Sequence, residues 1–313
     1  MNAVSTGGAG SAVSRFVPAR FLGPPVAVIL ALVAVLGSGG AASATWSIIA
    51  VDQETGRVGA AMASCVPSGL LGEPDSPLVP VVLMPGVGVA VTQGSINPDS
   101  PAGLRQLLND GFTPSDAIDE LLDIDDVPTA RQYGVVLLAP SSSGEQAETE
   151  TGADVEAIAG GVHTETVAVQ GLLLAEREIL DASLAAYEDA RAASRTLEQA
   201  LLAGLAAGSA LGGDRRCDGD QTALFAHLAV AGVEDDPLDP SVLLTVTVDE
   251  GDGQNPVPLL VDAFERGETG WVDAGLFTPT GIPRVLVGAV GLVLAIAAYW
   301  TIRKGLGSPA ARR

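Results

Sequence analysis

The residue best placed to do chemistry in this chain is Thr45, because it directly follows the small-x-small triplet Ala42-Ser43-Ala44. Such a triplet is typical of the site at which a secretory signal is cut. Cleavage after Ala44 would leave Thr45 as the N-terminal residue, with a hydroxyl nucleophile and a free α-amine on one residue. An α-amine has an unperturbed pKa of about 7.7 to 8.0, so part of it is already a neutral base able to activate the hydroxyl. The alternative is that the peptidase simply accepts any small residue here.

The residues before Thr45 have the composition of a secretory signal. They contain no Asp or Glu, they carry Arg15 and Arg20, and the apolar stretch Val26–Leu36 follows. A basic segment, an apolar core too short to span a bilayer comfortably and a small-residue cleavage site are the parts of such a signal. We therefore predict a signal peptide over residues 1–44 and a domain that faces outside the cell. An uncleaved signal anchor is the alternative.

The other end of the chain predicts a membrane anchor. Residues Val285–Ile302 form an apolar run of eighteen residues, and four basic residues follow it. That length is just enough to cross a bilayer, and a basic tail favours the cytoplasmic side. We expect a transmembrane helix over 285–302, a cytoplasmic tail over 303–313 and a linker over 268–284. The membrane would then be a partner, and the protein would lie in the cell membrane with a single span; a buried core helix is the alternative.

The charge balance between these two ends excludes a nucleic-acid partner. All 38 acidic residues but only nine basic ones lie in residues 45–283, which gives this part a net charge of −29. Binding to a phosphate backbone requires clustered positive charge, and a surface this acidic repels it. A small-molecule or peptide substrate fits better, and the sequence does not indicate an oligomeric state.

Several kinds of catalytic group are missing from the domain. The only lysine of the chain is Lys304, beyond the predicted span, so Schiff-base chemistry and a lysine base are excluded. His163 and His227 are the only histidines and are isolated from each other, which argues against a Ser-His-Asp triad. No zinc-type ligand spacing is present either, so we predict no metal and no cofactor.

The two cysteines, Cys65 and Cys217, both fall in the part expected outside the cell. In an oxidising compartment, an even pair of cysteines is typical of a disulfide bond. The alternative is two buried thiols.

The pattern of residues 45–267 predicts one α+β domain. Two hairpins come first, two helical stretches follow, and the second half alternates groups of strands with groups of amphipathic helices. Strands and helices that occur in groups favour helices packed on antiparallel sheets.

The same stretch contains a series of short motifs in a fixed order. They are "TWSIIAVDQETGRVGAAMAS" from Thr45, "GVGVAVTQGSINP" from Gly86, "RQYGVV" from Arg131, "TG" at Thr151, "VAVQG" from Val167 and "GGDRR" from Gly212. In these motifs the chain resembles the family catalogued as domain of unknown function 1028, which is grouped with the N-terminal nucleophile hydrolases.

The resemblance implies an αββα sandwich, in which two antiparallel sheets are covered by helices and the first strand begins with the nucleophile, Thr45. It also implies that Thr92, Gln93 and Asn97 supply polar contacts to the substrate or to the oxyanion, which needs preorganised donors. Asp214 and Arg215 would orient the amine.

One residue departs from the family pattern. Members often continue "VQG" with asparagine, and this chain has Leu172 there. Two functions therefore stay open. The first is a surface-anchored hydrolase of an amide or related acyl bond, with Thr45 as nucleophile and its α-amine as base. The second is a noncatalytic surface domain of the same fold that binds a cell-wall component, a peptide or a protein.

Overall fold

The computed structural model of the protein describes residues 45–67, 72–73, 76–77, 80–95, 97–155, 158–217 and 221–274. Its strands are β1 (Thr45–Asp52), β2 (Arg57–Ser64), β3 (Gly72–Glu73), β4 (Ser76–Pro77), β5 (Val81–Met84), β6 (Gly88–Gly94), β7 (Arg131–Leu137), β8 (Ala147–Thr151), β9 (Gly160–His163), β10 (Val167–Leu172), β11 (Phe225–Ala231), β12 (Val242–Thr247) and β13 (Gly270–Asp273). Its helices are α1 (Ser100–Asn109), α2 (Pro114–Ile124), α3 (Glu178–Ala192), α4 (Leu197–Ala210) and α5 (Pro256–Glu265).

The larger sheet has seven strands in the order β13-β12-β11-β2-β1-β10-β9. β1 lies in the interior of this sheet, hydrogen-bonded to β2 on one side and to β10 on the other. Every neighbouring pair is antiparallel except β12 and β13, which run parallel. The first strand of the domain therefore has both of its edges occupied by strands that follow it in the chain.

The smaller sheet has four antiparallel strands in the order β5-β6-β7-β8. It packs face to face on the larger sheet, with apolar side chains of both sheets in one shared cluster. Two-residue strands β3 and β4 form a separate short ladder.

Alternation of side chains along β1 explains why both faces of the larger sheet are covered. Trp46 and Ile48 join a cluster with residues of α3, α4 and α5, whereas Ile49 and Val51 join the cluster between the sheets. Successive side chains of a strand point to opposite faces, so a strand that is apolar at both parities must be buried on both sides. All eight residues of β1 are buried.

Helices cover the outer face of each sheet. α4 begins at a capping box in which Thr196 accepts from the N–H of Gln199, and it lies against β1 and β2. Its Gly208 permits this close approach, because a Cβ there would lie 2.7 Å from Nε1 of Trp46. On the opposite side of the molecule, α1 and α2 pack on the smaller sheet through a third apolar cluster.

Two parts of the expected fold are corrected. The sheets are not purely antiparallel, because β13 pairs in parallel with β12, within the stretch predicted as a linker. In addition, no helix among the described residues is both long and apolar enough to cross a membrane. The C-terminal transmembrane helix, and the membrane as a partner through it, are therefore not supported. Both the predicted span 285–302 and the predicted signal 1–44 lie outside the described residues.

Candidate functional site

Thr45 is the first residue of β1, and it is buried. It is paired with Leu172 of β10, and its side chain has the parity of Ile49 and Val51, which face the smaller sheet. The predicted nucleophile therefore lies at the end of an interior strand, on the side where the two sheets meet.

The space between the sheets is polar at this end. Ser47, two residues after Thr45, has its hydroxyl 2.8 Å from Oε1 of Gln93 and 2.6 Å from Nε2 of Gln170. Nε2 of Gln93 in turn donates to Oε1 of Gln132 at 2.5 Å and to the carbonyl oxygen of Thr45 at 3.4 Å. These four side chains come from β1, β6, β7 and β10, so this buried network, which we call the glutamine network, links both sheets to Thr45.

Gln132 makes the largest number of contacts in the glutamine network. Its Nε2 lies within hydrogen-bond distance of Oγ1 of Thr151 at 2.8 Å, of the carbonyl of Gly171 at 3.0 Å and of the carbonyl of Gly160 at 3.1 Å. Together with the bond from Gln93, these contacts hold β7 against β8, β9 and β10 near Thr45.

Gly134 makes room for another member of the network, since a Cβ there would lie 2.1 Å from Oε1 of Gln170. That oxygen is buried and has no hydrogen-bond partner among the described residues. Further along the same interface there are apolar contacts instead of amides, made by Ile49, Val89 and Val136 among others. The sandwich is therefore polar at the end where β1 starts and apolar in its middle.

The loop that contains the "GGDRR" motif crosses the start of β1. On the β10 side, the N–H of Arg215 donates to the carbonyl of Leu173 at 3.1 Å. On the β2 side, Oδ2 of Asp214 accepts from the N–H of Cys65 at 2.7 Å, and Cys65 is bonded to Cys217 in a disulfide. Because β1 lies between β2 and β10, a loop tied to both must pass over the first residue of β1. The predicted disulfide is confirmed.

Asp214 is almost fully buried, and its carboxylate is held by several donors. Besides the Cys65 N–H, it accepts from Nε of Arg216 at 3.1 Å, from Nη2 of Arg216 at 2.8 Å and from the backbone N–H of Arg216 at 3.0 Å. Arg215, the expected partner in orienting the amine, is exposed instead. The side chain that accompanies Asp214 is therefore Arg216.

The other expected contacts are placed differently. Thr92 is half-buried on β6 opposite Tyr133, at the parity of Ala90, so it lies on the face covered by α1 and α2 and not on the face of Thr45. Asn97 donates to Oδ2 of Asp125 at 2.9 Å, in the loop that follows β6. Of the three predicted contacts, Gln93 is the one that has a hydrogen bond to Thr45 in the described part of the chain.

Asn97 belongs to a cluster that fixes the chain after β6. Both carboxylate oxygens of Asp125 accept from Arg131, at 2.8 and 2.9 Å, and Nη1 of Arg131 donates to the carbonyl of Ser95. The hydrogen bonds from Arg131 hold the pKa of the Asp125 carboxyl well below its usual range. Arg131 starts β7, so this ion pair positions Gln132 beside it.

The backbone after β10 is strained next to the candidate site. Leu173, directly after Leu172, has a φ of 52°, a left-handed conformation that non-glycine residues rarely adopt. Strain of this kind costs about 1–3 kcal/mol and clusters at functional sites. The carbonyl of Leu173 is the group that accepts from the N–H of Arg215 in the loop that crosses β1.

In the part of the chain that the structure describes, the histidines and the acidic groups form no alternative centre. His227 is buried on β11, with Nδ1 2.7 Å from the hydroxyl of Thr245, and His163 is exposed on β9. Among the described residues, no three His, Cys, Asp or Glu side chains are grouped so that they could hold a metal ion.

The fold and site define a class of protein in which a threonine begins an interior strand of a two-sheet sandwich, under a disulfide-tied loop. Residues 45–259 match the family described as a family of unknown function, DUF1028, and the chain belongs to that family.

A solved structure has a similar fold. It is that of protein SPO2555 from Silicibacter pomeroyi, described as DUF1028, at 25% identity and a TM-score of 0.57 over 73% of this chain and 91% of that one. A search of curated proteins gives no match.

Proposed function

We propose that this protein is an N-terminal nucleophile hydrolase that cleaves an amide or related acyl bond, with Thr45 as nucleophile. The observation that carries the proposal is the position of Thr45. It is the first residue of an interior strand, and it contacts the glutamine network through its carbonyl oxygen. A nucleophile is most effective when rigid elements hold it, and a strand bonded on both edges is such an element.

The mechanism needs a free α-amine on Thr45. Oγ1 of Thr45 attacks the acyl carbon, and the α-amine takes the hydroxyl proton and then passes it to the leaving amine. The C–N bond breaks, and the acyl group remains on Thr45 as an ester. Water then attacks this ester with the same amine as base, which releases the acid and restores the hydroxyl.

The surrounding groups have positioning roles in this proposal. Nε2 of Gln93 fixes the backbone of Thr45 through its carbonyl oxygen. The Asp214 carboxylate fixes the loop that passes over the start of β1, by accepting from the N–H of Cys65.

The proposal also requires cleavage after Ala44 and hence export of the chain. The disulfide between Cys65 and Cys217 supports export, because such bonds persist in oxidising compartments. The membrane anchor forms no part of the proposal.

One observation favours a second candidate, a noncatalytic domain that binds a cell-wall component, a peptide or a protein. Leu172 is buried directly across from Thr45. An apolar side chain there offers no hydrogen bond to a substrate or to an oxyanion, whereas the asparagine expected from the family pattern would offer both.

The test combines the N-terminus with acyl labelling. Mass spectrometry of the exported protein should find Thr45 first with an unmodified amine, and a β-lactone probe should acylate it. Thr45→Ala should abolish the labelling and Thr45→Ser should retain part of it. Thr55→Ala, an exposed threonine in the turn after β1, is the matched control and should label normally. A mature chain that starts elsewhere, or labelling that survives Thr45→Ala, would favour the binding domain.

A further inference from the structure

The far end of β1 contains a cavity that the proposed hydrolase does not use. Its volume is about 360 Å³, within the size range of small-molecule sites. Three parts of the fold form its wall: the end of β1 and the turn after it, with Asp52 and Glu54; the turn between β9 and β10, with Thr164 and Thr166; and the last turns of α3. β1 separates this cavity from Thr45 by roughly 23 Å, seven residues at about 3.3 Å each.

Tyr187 of α3 is a buried residue that lines the cavity. The residue is 3% exposed and lines the cavity wall, and its hydroxyl has no hydrogen-bond partner among the described residues. Burial raises the pKa of Tyr187 to about 12. Asp52, Glu188 and Arg191 line the same cavity as Tyr187. A phenolic hydroxyl can both donate and accept a hydrogen bond, and a ligand in the cavity can supply a partner for it.

The charged groups around Tyr187 determine which charge a ligand in the cavity should carry. Arg191 is already engaged, since Nη2 donates to Oδ2 of Asp52 at 3.0 Å and Nη1 donates to the carbonyl of Arg195 at 2.8 Å. The positive charge of Arg191 therefore neutralises the negative charge of Asp52. Glu54 and Glu188 remain at the exposed rim, with no side-chain partner among the described residues. The uncompensated charge of the cavity is therefore negative.

We propose that this cavity binds a small organic cation, namely a primary amine or short diamine. An ammonium group donates three hydrogen bonds, which suits the Tyr187 hydroxyl on the wall and the carboxylates of Glu188 and Glu54 at the rim. The hydroxyls of Thr164 and Thr166 add neutral acceptors. An anion would be repelled by the rim, and a bare metal ion would lack the grouped carboxylates that it requires. The site does not depend on the chemistry proposed for Thr45.

Butane-1,4-diamine is the probe for this proposal, with butane-1,4-diol and succinate as comparators of similar length. Calorimetric titration of the protein at low salt should give saturable one-site binding of the diamine and none of the diol or succinate. Tyr187→Phe should weaken diamine binding about tenfold, since it removes only the hydroxyl and keeps the packed ring. Glu188→Gln should weaken it about fivefold.

The matched control is Glu265→Gln, which removes the same charge from an exposed position on α5. The domain is acidic throughout, so a diamine could gather on any face; a true site requires that Glu265→Gln bind like the unchanged protein. Equal weakening by Glu188→Gln and Glu265→Gln, or no saturable binding, would overturn the proposal. Should Tyr187→Phe fail to fold, the comparison of the two glutamate variants still decides, because both residues are exposed. Acyl labelling of Thr45 in the same samples reports the proposed hydrolase separately.

Discussion

The carboxylate of Asp214 accepts a hydrogen bond of 2.7 Å from the backbone N–H of Cys65, which is itself bonded to Cys217 three residues beyond Asp214. The loop that crosses the start of β1 is thus tied to β2 twice, once by a covalent bond and once by a buried charge. Its shape over Thr45 depends on both ties, and each can be removed separately.

Replacing Asp214 with Asn should destabilise the domain by about 2–4 kcal/mol. The substitution keeps the size of the side chain but leaves the Arg216 guanidinium, which is partly exposed, without its carboxylate. Urea unfolding followed by circular dichroism measures the loss. Arg215→Ala, at the exposed neighbour, should change the free energy of unfolding by less than about 0.5 kcal/mol. Equal losses from the two variants would contradict the assignment of Arg216 as the partner.

Removing the disulfide should cost about 2–5 kcal/mol. Cys65 and Cys217 are 152 residues apart in the chain, so breaking the bond frees a long loop in the unfolded state. Thermal unfolding with and without a dithiol reductant should show a lower Tm for the reduced protein. The double variant Cys65→Ser with Cys217→Ser should melt near the reduced protein and should not respond to reductant. A reductant effect that persists in the double variant would show that the shift has another cause.

The sequence could identify the disulfide because Cys65 has only Cys217 as a partner in the chain. It could propose Thr45 as a candidate because Thr45 stands beside a cleavage triplet, and that role stays a prediction. Thr92 and Gln93 were both predicted as contacts, but adjacent strand residues face opposite sides, and only the packed sheets show which side meets Thr45. That Arg216 accompanies Asp214, and not the predicted Arg215, depends in the same way on the path of a loop.

The glutamine network shows what sequence reasoning missed. Gln132 and Gln170 are single amides within the apolar strands "RQYGVVL" and "VAVQGL", and an amide in such a strand signals a buried polar contact. Part of the network crosses between the sheets: Nε2 of Gln132 lies 3.0 Å from the carbonyl of Gly171, and the hydroxyl of Ser47 lies 2.8 Å from Oε1 of Gln93. No sequence periodicity reports that pairing, since it depends on how two sheets stack.

Gln132→Leu should destabilise the domain by about 2–4 kcal/mol. Leucine has a similar size but leaves the amide of Gln93, the hydroxyl of Thr151 and the carbonyl of Gly171 without their buried partner. The matched control is Gln106→Leu on the exposed face of α1, which should change stability by less than about 0.5 kcal/mol. Denaturant midpoints of the two variants measure the difference. Similar midpoints would mean that the network contributes little to stability.

Lowering the pH should reduce the free energy of unfolding through the buried His227. Burial of His227 lowers its pKa from 6.5 to about 4 in the folded protein, so the unfolded chain takes up the proton first as the pH falls. The stability that depends on a neutral His227 is therefore complete above about pH 6.5, declines between pH 6.5 and 4, and reaches a loss of about 3 kcal/mol. Many carboxylates titrate in the lower part of this window, so the informative quantity is the difference between variants. His227→Gln should flatten the pH dependence of the unfolding free energy between pH 6.5 and 5, whereas His163→Gln, at the exposed histidine, should leave it unchanged. If both variants follow the unchanged protein across this range, His227 is not held neutral by burial.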